Sequence, residues 1–379
     1  MSTLTGKYII FIVGSLELGG SERQAFHLAR YLMDAEHAHV RFLGFSGPGK
    51  LSQLCEQYGI SWQIVPNPIA GDMLERNIRL LRFVYTMRKN HPDILLPYTM
   101  TPNVVCGLTW HWTGAKLCVW NQRDLGIERL PPGLENKAAK KIPLFLSNSQ
   151  HGAEFLSSTF KISPGRLKVI HNGIELNPPA LTRTEWRDKL GVEEETFLVC
   201  MVANLSRNKD HAVLLKAWHS ALEHLFANGI SSVLLLAGRF DDMYIPLKSL
   251  VSELGIEKCV QFLGQVNDTS GLLSAVDLGV FSSRSEGSPN GVLECMAAGL
   301  AMVATDIPGI REIAGDHGYI RLTPIDDHEK MAEKIIEFGL NPSLRAEAGE
   351  QNRKRVQTEF NLTKMCEETV AILSREISA

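Results

Sequence analysis

The 379-residue sequence lacks several features that would assign it to a class at once. No apolar run reaches the roughly 18 residues that a membrane-spanning helix needs, and the N-terminus has no secretory-signal pattern. The seven cysteines are scattered and never form Cys-x-x-Cys, which predicts reduced thiols and not disulfides or zinc ligands. The net charge of -3 shows no basic excess, which argues against a nucleic-acid partner. These absences predict a cytoplasmic globular protein.

Two nucleotide-binding patterns and one metal-binding pattern are also missing. Gly14 and the Gly19-Gly20 pair do not have Gly-x-Gly-x-x-Gly spacing, and Gly20 stands where a P-loop has lysine. There is no Asp-x-Asp triplet, so we expect no metal at the site. Glycines before a helix still let backbone N–H groups approach a phosphate. An ordinary glycine turn is the alternative for this segment.

What is present is an alternation of short apolar runs with longer amphipathic segments, which predicts an α/β fold with parallel sheets. The strands predicted in the first half are Tyr8–Val13, His39–Gly44, Ser61–Val65, Ile94–Leu96, Leu117–Trp120, Leu144–Ser147 and Leu167–Ile170. After a segment rich in Asn-Gly and Pro-Pro breakers at 172–182, the pattern restarts with a strand at Phe197–Val202. The chain is therefore expected to form two domains.

We predict two Rossmann-like, doubly wound domains that face a central cleft, because ligands bind at the carboxyl ends of such sheets. The predicted boundaries are 1–175, 176–355 and 356–379. The last segment is apolar at helical spacing over 356–378, and we expect one helix there that crosses back onto the first domain.

The most informative segment carries two carboxylates eight residues apart. Glu286 lies in a Gly/Ser/Pro/Asn loop after an apolar run, Ala275 to Phe281, that predicts a buried strand. Glu294 lies inside the helix that follows. A helix N-terminus suits a phosphate, whereas carboxylates accept hydrogen bonds from sugar hydroxyls. The segment therefore predicts a ligand with both groups.

Charged and glycine-containing segments follow other predicted strands. Arg207 and Lys209 follow the strand at 197–202, where they would clamp a diphosphate; a solvated loop is the alternative. Gly238-Arg239 and Gln265-Val266 end two further strands, where a base would lie against the backbone. Arg123-Asp124 follows the strand that ends at Trp120, and a loop-stabilising Arg–Asp pair is the alternative there.

Taken together, these segments resemble the retaining glycosyltransferases of the GT-B fold, glycosyltransferase family 4, over nearly the whole chain. The segment at 19–22 is similar to the family's Gly-Gly-x-Glu loop, and the segment at 171–174 to its Asn-Gly turn. The segment at 286–294 matches its Glu-x7-Glu motif and is followed by Met-Ala-Ala-Gly at 296–299 and Ile-Pro-Gly at 307–309.

The resemblance implies a role for each matching residue. Lys209 would hold the donor diphosphate, Glu286 the sugar hydroxyls, and Arg207 would replace a family arginine that is missing at Asn204. These three are the catalytic candidates. The implied donor-binding residues are Gly19, Gly20, Asn204, Gly238, Arg239, Gln265, Val266, Ser288, Asn290, Gly291, Val292 and Glu294. Arg123 and Asp124 are expected on the acceptor side, although the histidine common after this strand is absent.

The implied reaction moves a hexose from a nucleotide diphosphate sugar, UDP-glucose or a related UDP-hexose, to an acceptor hydroxyl with retention of configuration. No metal or other cofactor is implied. The acceptor would be a glycan or a lipid-linked glycan, and the Arg-rich apolar segment at 73–89 would contact the inner membrane surface peripherally; a packed amphipathic helix is the alternative. A sugar-nucleotide epimerase, a glycosyl phosphorylase and a non-catalytic nucleotide-sugar binder remain as alternative functions.

Overall fold

The computed structural model describes residues 4–124, 126 and 130–378. The chain divides into two compact units: residues up to Gly173 together with those from Leu362 onward form the first, and Ile174–Asn361 forms the second. No helix among the described residues is long and apolar enough to span a bilayer.

A sheet of seven parallel strands is the centre of the first unit, in the order β3-β2-β1-β4-β5-β6-β7. The strands are β1 (Tyr8–Val13), β2 (His39–Gly44), β3 (Ser61–Ile64), β4 (Ile94–Pro97), β5 (Leu117–Gln122), β6 (Leu144–Ser147) and β7 (Leu167–Val169). Successive side chains of β1 enter opposite cores: Ile9 and Phe11 pack on one face, and Ile10 and Ile12 on the other. Burial on both faces explains why β1 is apolar from Ile9 to Val13.

Helices connect these strands and cover the sheet. They are α1 (Gly20–Asp34), α2 (Lys50–Gln57), α3 (Met73–Lys89), α4 (Met100–Thr109), α5 (Pro132–Lys141) and α6 (Gln150–Phe160). Short 3-10 turns follow α4 at Trp110–Trp112 and precede β7 at Pro164–Arg166.

The second unit has a sheet of six parallel strands in the order β10-β9-β8-β11-β12-β13. In chain order its elements are α7 (Arg183–Leu190), β8 (Phe197–Val202), α8 (His211–Ala227), β9 (Ser232–Ala237), α9 (Tyr244–Glu253), β10 (Val260–Gly264), α10 (Thr269–Ala275), β11 (Leu278–Phe281), α11 (Asn290–Ala297), β12 (Ala301–Thr305), α12 (Pro308–Ala314), β13 (Ile320–Thr323), α13 (His328–Leu340) and α14 (Pro342–Glu359). The last helix, α15 (Leu362–Ser378), belongs to the first unit.

The prediction of two doubly wound parallel sheets is confirmed. The strand order reverses between β1 and β4 in the first unit and between β8 and β11 in the second. In such sheets ligands bind beyond the carboxyl ends of the strands at this reversal. The loops after β8 and β11 carry the predicted Lys209 and Glu286.

The prediction of one helix over 356–378 is wrong. Residues 356–359 end α14, and α15 starts at Leu362. Phe360 stays in the core of the second unit with 2% exposure, and its carbonyl accepts a hydrogen bond from the Ile174 N–H at 2.8 Å. This pairing removes Phe360 from the helix, so the chain turns there. The final helix does pack on the first unit, as predicted: Met365, Cys366 and Leu373 are buried in its core.

Candidate functional site

Two predicted residues meet at the carboxyl ends of neighbouring strands in the second unit. A 3-10 turn, Arg207–Lys209, follows β8, and the loop with Glu286 follows β11. The Nζ of Lys209 and the Oε1 of Glu286 form an ion pair. The side chains are 26% and 13% exposed, respectively, so solvent screens this pair only in part. A cation and a carboxylate are therefore placed together at the strand-order reversal.

Hydrogen bonds join the turn to the loop. The Oγ of Ser282 donates to the carbonyl of Lys209 at 3.0 Å, and the Nδ2 of Asn208 donates to the carbonyl of Ser285 at 2.6 Å. Neither Ser282 nor Asn208 was predicted. The signal available was their position in loops at the ends of two strands that adjoin in a doubly wound sheet.

The loop with Glu286 leads into the N-terminus of α11. The helix starts at Asn290, and Pro289, at the N-cap position, supplies no side-chain cap. A Cβ on Gly291 would lie 2.4 Å from the Val202 carbonyl oxygen, so glycine lets the first turn touch the end of β8. Ser288 and Glu294 are buried, at 8% and 6% exposure, and Val292 is fully buried. The first-turn N–H groups at 290–292 are those that lack an acceptor within a helix.

Gly309 has a structural reason to be glycine. A Cβ there would lie 2.3 Å from the carbonyl oxygen of Glu286 and 2.4 Å from that of Gly287. The start of α12 is therefore pressed against the loop with Glu286. The Ile-Pro-Gly sequence at 307–309 therefore packs against the backbone of this loop.

The residues predicted near a base lie at the ends of β9 and β10. A Cβ on Gly238 would lie 2.0 Å from the Ala203 carbonyl oxygen, and the side-chain Oδ1 of Asn204 accepts from the Arg239 N–H at 3.1 Å. The Arg239 guanidinium pairs with Asp241 at 2.6 Å. Gly238 and Asn204 thus join two loops, which gives both residues a structural role.

Beyond the end of β10, Gln265 is exposed and Val266 is half-buried. Sequence reasoning missed an aromatic pair at the same edge: Phe240 stacks on Tyr244 with ring centroids 4.0 Å apart, and Phe240 is 43% exposed. Two aromatic residues four positions apart were the signal available for this pair.

The cations around Lys209 differ in their surroundings. Arg207 is exposed, and none of the ion pairs found among the described residues involves it. His211 is 1% exposed; burial, together with the charge of Lys209, lowers the pKa of its imidazole to about 3. His211 is therefore neutral, and the positive charge of this turn comes from Arg207 and Lys209.

In the first unit, the glycine loop predicted to bind a phosphate, Gly19-Gly20, lies against the carboxylate of Glu22. Gly19 is the N-cap of α1, and a Cβ on it would lie 2.6 Å from the Oε2 of Glu22. The same oxygen accepts a hydrogen bond from the Ser21 hydroxyl at 2.9 Å. Burial raises the pKa of Glu22. A phosphate against Gly19 and Gly20 would meet this carboxylate, so their role with a phosphate stays a prediction.

Arg123 and Asp124 hold the segment after β5 by separate contacts. The Arg123 guanidinium donates to the Oδ1 of Asn172 at 3.0 Å and lies 4.7 Å above the Tyr98 ring. Asp124 accepts from the Gln122 side chain and the Gly126 N–H, both at 2.8 Å. Arg123 also lines a cavity of about 10 Å³ with Tyr98, Asn121, Met365 and Thr369 among others. Their predicted place on the acceptor side is untested by these contacts.

Solved structures with the same fold cover nearly the whole chain. Anabaena Alr3699/HepE in complex with UDP-glucose superimposes with a TM-score of 0.84 at 22% identity, covering 97% of this chain and 99% of that one. WaaG, a glycosyltransferase involved in lipopolysaccharide biosynthesis, has a TM-score of 0.73 at 18% identity, with 96% and 99% coverage. At these identities the likeness shows the fold, so the chain has the GT-B architecture.

Two family models match the two halves of the chain. Residues 18–177 match the model described as Glycosyltransferase Family 4, and residues 182–355 match the one described as Glycosyl transferases group 1. The chain belongs to the GT-B glycosyltransferases of the family 4 type.

The chain spans about half the length of the curated relatives that it matches. A Campylobacter jejuni N-acetylgalactosamine-N,N'-diacetylbacillosaminyl-diphospho-undecaprenol 4-alpha-N-acetylgalactosaminyltransferase is 29% identical over 199 residues, which is 52% of this chain and 50% of that protein. The putative glycosyltransferase EpsD of Bacillus subtilis is 31% identical over 218 residues, 55% of each chain. An Escherichia coli UDP-Gal:alpha-D-GlcNAc-diphosphoundecaprenol alpha-1,3-galactosyltransferase is 26% identical over 181 residues, 46% of each.

Proposed function

We propose that this chain is a retaining hexosyltransferase that uses a UDP-hexose, UDP-glucose or a related sugar nucleotide, and that works without a metal. The observation that carries the proposal is the contact between Lys209 and Glu286, which lies in the loop that leads into the N-terminus of α11. The three groups suit the parts of one ligand: a cation and the N–H groups of a helix N-terminus suit a diphosphate, and a carboxylate suits sugar hydroxyls. A UDP-glucose complex of the structural neighbour supports this choice of donor.

In the proposed reaction, the bond between the sugar anomeric carbon and the diphosphate oxygen breaks, and a bond to the acceptor oxygen forms on the same face. The leaving diphosphate takes the acceptor proton. Lys209, Arg207 and the N–H groups at 290–292 stabilise the charge that builds on the diphosphate, and each such group is worth about 10²–10³ in rate. Glu286 positions the sugar, and Glu294 accepts from the ribose hydroxyls.

No group of three or more His, Cys, Asp or Glu side chains that could hold a metal occurs among the residues that the structure describes. The proposal assigns the neutralisation of the diphosphate to Lys209 and Arg207, the two cations of the turn after β8. Transfer should persist in the presence of a chelator, and a complete loss of transfer that added Mg²⁺ or Mn²⁺ restores would contradict this part of the proposal.

The acceptor is proposed to be a lipid-linked glycan, since two relatives are named for diphospho-undecaprenol substrates. A surface on the first unit fits a membrane. Met73, Leu74, Leu81 and Tyr85 on α3 are each at least 61% exposed. Exposed apolar side chains interleaved with arginines suit an interface with anionic lipids. We propose peripheral contact with the inner membrane surface through α3, and Arg123 and Asp124 on the acceptor side of the site.

The test is the Lys209→Ala variant, assayed for UDP release from UDP-glucose and for transfer to a lipid-linked glycan. We expect transfer to fall by about 10²–10³-fold, and Glu294→Ala to abolish it. Lys330→Ala is the control, because Lys330 also pairs with a carboxylate in the second unit, Glu333. Turnover like that of the unaltered protein in either site variant would overturn the assignment.

Without an acceptor, a transferase releases UDP slowly. An epimerase yields an isomeric sugar nucleotide with no net release, and a non-catalytic binder changes nothing. The same assay therefore separates the proposed function from these alternatives.

A further inference from the structure

Arg284, Asp210 and Asp326 form a charged cluster, the first two of them close to Glu286 and Lys209 in the chain. Arg284 stands two residues before Glu286 and between two carboxylates. Its Nε lies 2.7 Å from the Oδ2 of Asp210, and its Nη1 and Nη2 both pair with Asp326, the first at 3.1 Å. Asp210 follows Lys209 in the chain. The Arg284 guanidinium thus links the loop that carries Glu286 to Asp210, the residue after Lys209.

The backbones of both carboxylate residues are in an unusual conformation. Asp210 has φ +48° and Asp326 has φ +64°, in the left-handed region that residues other than glycine rarely adopt. Such conformations cost energy and persist where surrounding contacts determine them. Arg284 is the side chain that contacts both residues.

Asp210 depends strongly on this contact. Its side chain is 10% exposed, and desolvation raises the pKa of its carboxyl, whereas Arg284 opposes the rise. Asp326 repels it, and its neighbours in the chain are Lys209, at the end of the turn, and His211, at the start of α8. Without Arg284, a mostly buried carboxylate would face a second carboxylate.

The main chain connects the same two segments. The Arg284 N–H donates to the carbonyl of Asn208 at 2.9 Å, next to the bond from the Asn208 side chain to Ser285. A shift of the turn relative to the loop would break these bonds together with the ion pair. The turn with Lys209 and the loop with Glu286 are therefore joined by several bonds besides their own ion pair.

We propose that Arg284 is a positioning residue: by neutralising Asp210, with its guanidinium oriented by Asp326, it fixes Lys209 against Glu286 in the geometry needed for transfer. Arg284 acts through Asp210 and does not contact the donor. The inference rests on the proposed roles of Lys209 and Glu286.

Variants of this pair should differ in their effect. Arg284 is 46% exposed and Asp210 10%, so removing the arginine alone leaves a mostly buried carboxylate without its cation, which costs more than removing both charges. Arg284→Met should displace the turn, whereas Asp210→Asn in the same chain should relieve the uncompensated charge. A misplacement of about 1 Å at a catalytic group costs about 10²-fold in rate.

The experiment compares the full chain with R284M, D210N, R284M/D210N and R284K, using UDP-glucose hydrolysis and hydrogen exchange of segments 207–210 and 284–287. We expect R284M to lower kcat by about 10²-fold, with little change in KM, and to speed exchange in both segments. R284M/D210N should recover activity and protection, and R284K should fall between R284M and the unaltered chain. Arg353→Met is the control, because Arg353 is 49% exposed and ion-paired, against 46% for Arg284.

Three results would overturn the proposal: a double variant as impaired as R284M, an effect of R284M confined to KM, or unchanged exchange in both segments. If R284M does not fold, R284K and R284M/D210N decide by the same readouts. A full chain that neither binds nor hydrolyses UDP-glucose would refute the proposed donor instead, and the exchange data would still decide whether Arg284 positions the turn.

Discussion

At the scale of single residues, the ion pair between Lys209 and Glu286 joins two groups to which the proposed function gives different ligand groups. In that function a donor would replace both partners, since its diphosphate would pair with the lysine and its sugar hydroxyls would bind the carboxylate. UDP alone would pair only with the lysine and leave a carboxylate that is 13% exposed without its cation. The pair should therefore favour UDP-sugar over the product UDP.

We predict that Glu286→Gln has opposite effects on these two ligands. UDP should bind about two- to fivefold more tightly, because a partly exposed ion pair worth up to about 1 kcal/mol no longer competes. UDP-glucose should bind more weakly by about tenfold or more, because hydrogen bonds to a charged acceptor are lost. Titration calorimetry measures both constants. Glu333→Gln, which breaks the Lys330 pair, should change neither, and equal shifts for both ligands in E286Q would contradict the prediction.

Gly238 provides a residue-scale test of the fold behind the site. A Cβ at this position would lie 2.0 Å from the Ala203 carbonyl oxygen and 2.7 Å from the Asn204 nitrogen, and both are backbone atoms that cannot turn away. We expect Gly238→Ala to destabilise the second unit by about 1–3 kcal/mol, as overpacking does.

Gly133→Ala is the matched control for this prediction, because Gly133 lies in α5 with no atom within 4 Å of its added Cβ. Alanine there should stabilise by about 0.5–1 kcal/mol. Denaturant unfolding measures both changes, and a G238A protein as stable as the original would show that this loop moves freely.

At the scale of secondary-structure elements, the sequence predicted the strands better than the helices and turns between them. Strands β1, β2, β6 and β8 have the predicted bounds, because each contains a short run of buried apolar residues. Helix α5 was missed, since its sequence is mostly polar with only Glu135, Ala138 and Ala139 buried. Periodicity also does not reveal the turn at Phe360, which depends on pairing with a residue far away in the sequence.

Two of the candidate site residues, Lys209 and Glu286, lie together in the structure, and their roles stay predictions. Each lies in a loop that follows a strand, and the strand order explains why they meet. Asn208, Arg284 and Asp326 were not assigned a role, because a surface-like charge in a loop has no periodic signal. Their contacts depend on which loops the order of strands makes neighbours.

Helix α3 supports a prediction at this scale, because only Phe83 and Met87 of its residues are buried. Its exposed row continues to Trp112, where Arg88 donates to the Trp112 carbonyl at 2.8 Å. We expect the protein to bind vesicles that contain anionic lipids, and Leu81→Asp to weaken binding by about tenfold or more, because burying a leucine is worth about 1.5–3 kcal/mol.

Ile245→Asp in the second unit is the control for this helix, since Ile245 is 68% exposed and Leu81 69%. Vesicle sedimentation measures the binding. Equal losses in the two variants, or binding that ignores lipid charge, would argue for another use of this surface.

At the scale of the whole molecule, the first unit is built from two segments that are far apart in the sequence. Residues from Leu362 onward belong to the same unit as the chain up to Gly173, and the whole second unit lies between these segments in the sequence. Met365, Cys366 and Leu373 of α15 are at most 4% exposed and pack with residues of α1 and the central strands. The stability of the first unit therefore depends on a helix that follows the second unit in the chain.

In a chain that ends at Asn361, the first unit should unfold and the second should stay folded. Losing three buried side chains removes about 1.5–3 kcal/mol each, which approaches the roughly 5–15 kcal/mol that typically stabilises a domain. Hydrogen exchange should show β1, β4 and β5 unprotected while β8, β9 and β11 stay protected. A chain that ends at Arg375 keeps all three buried side chains and should behave like the full protein. Protected strands throughout the first unit of the shorter chain would show that α15 is dispensable, and that this unit is held together without it.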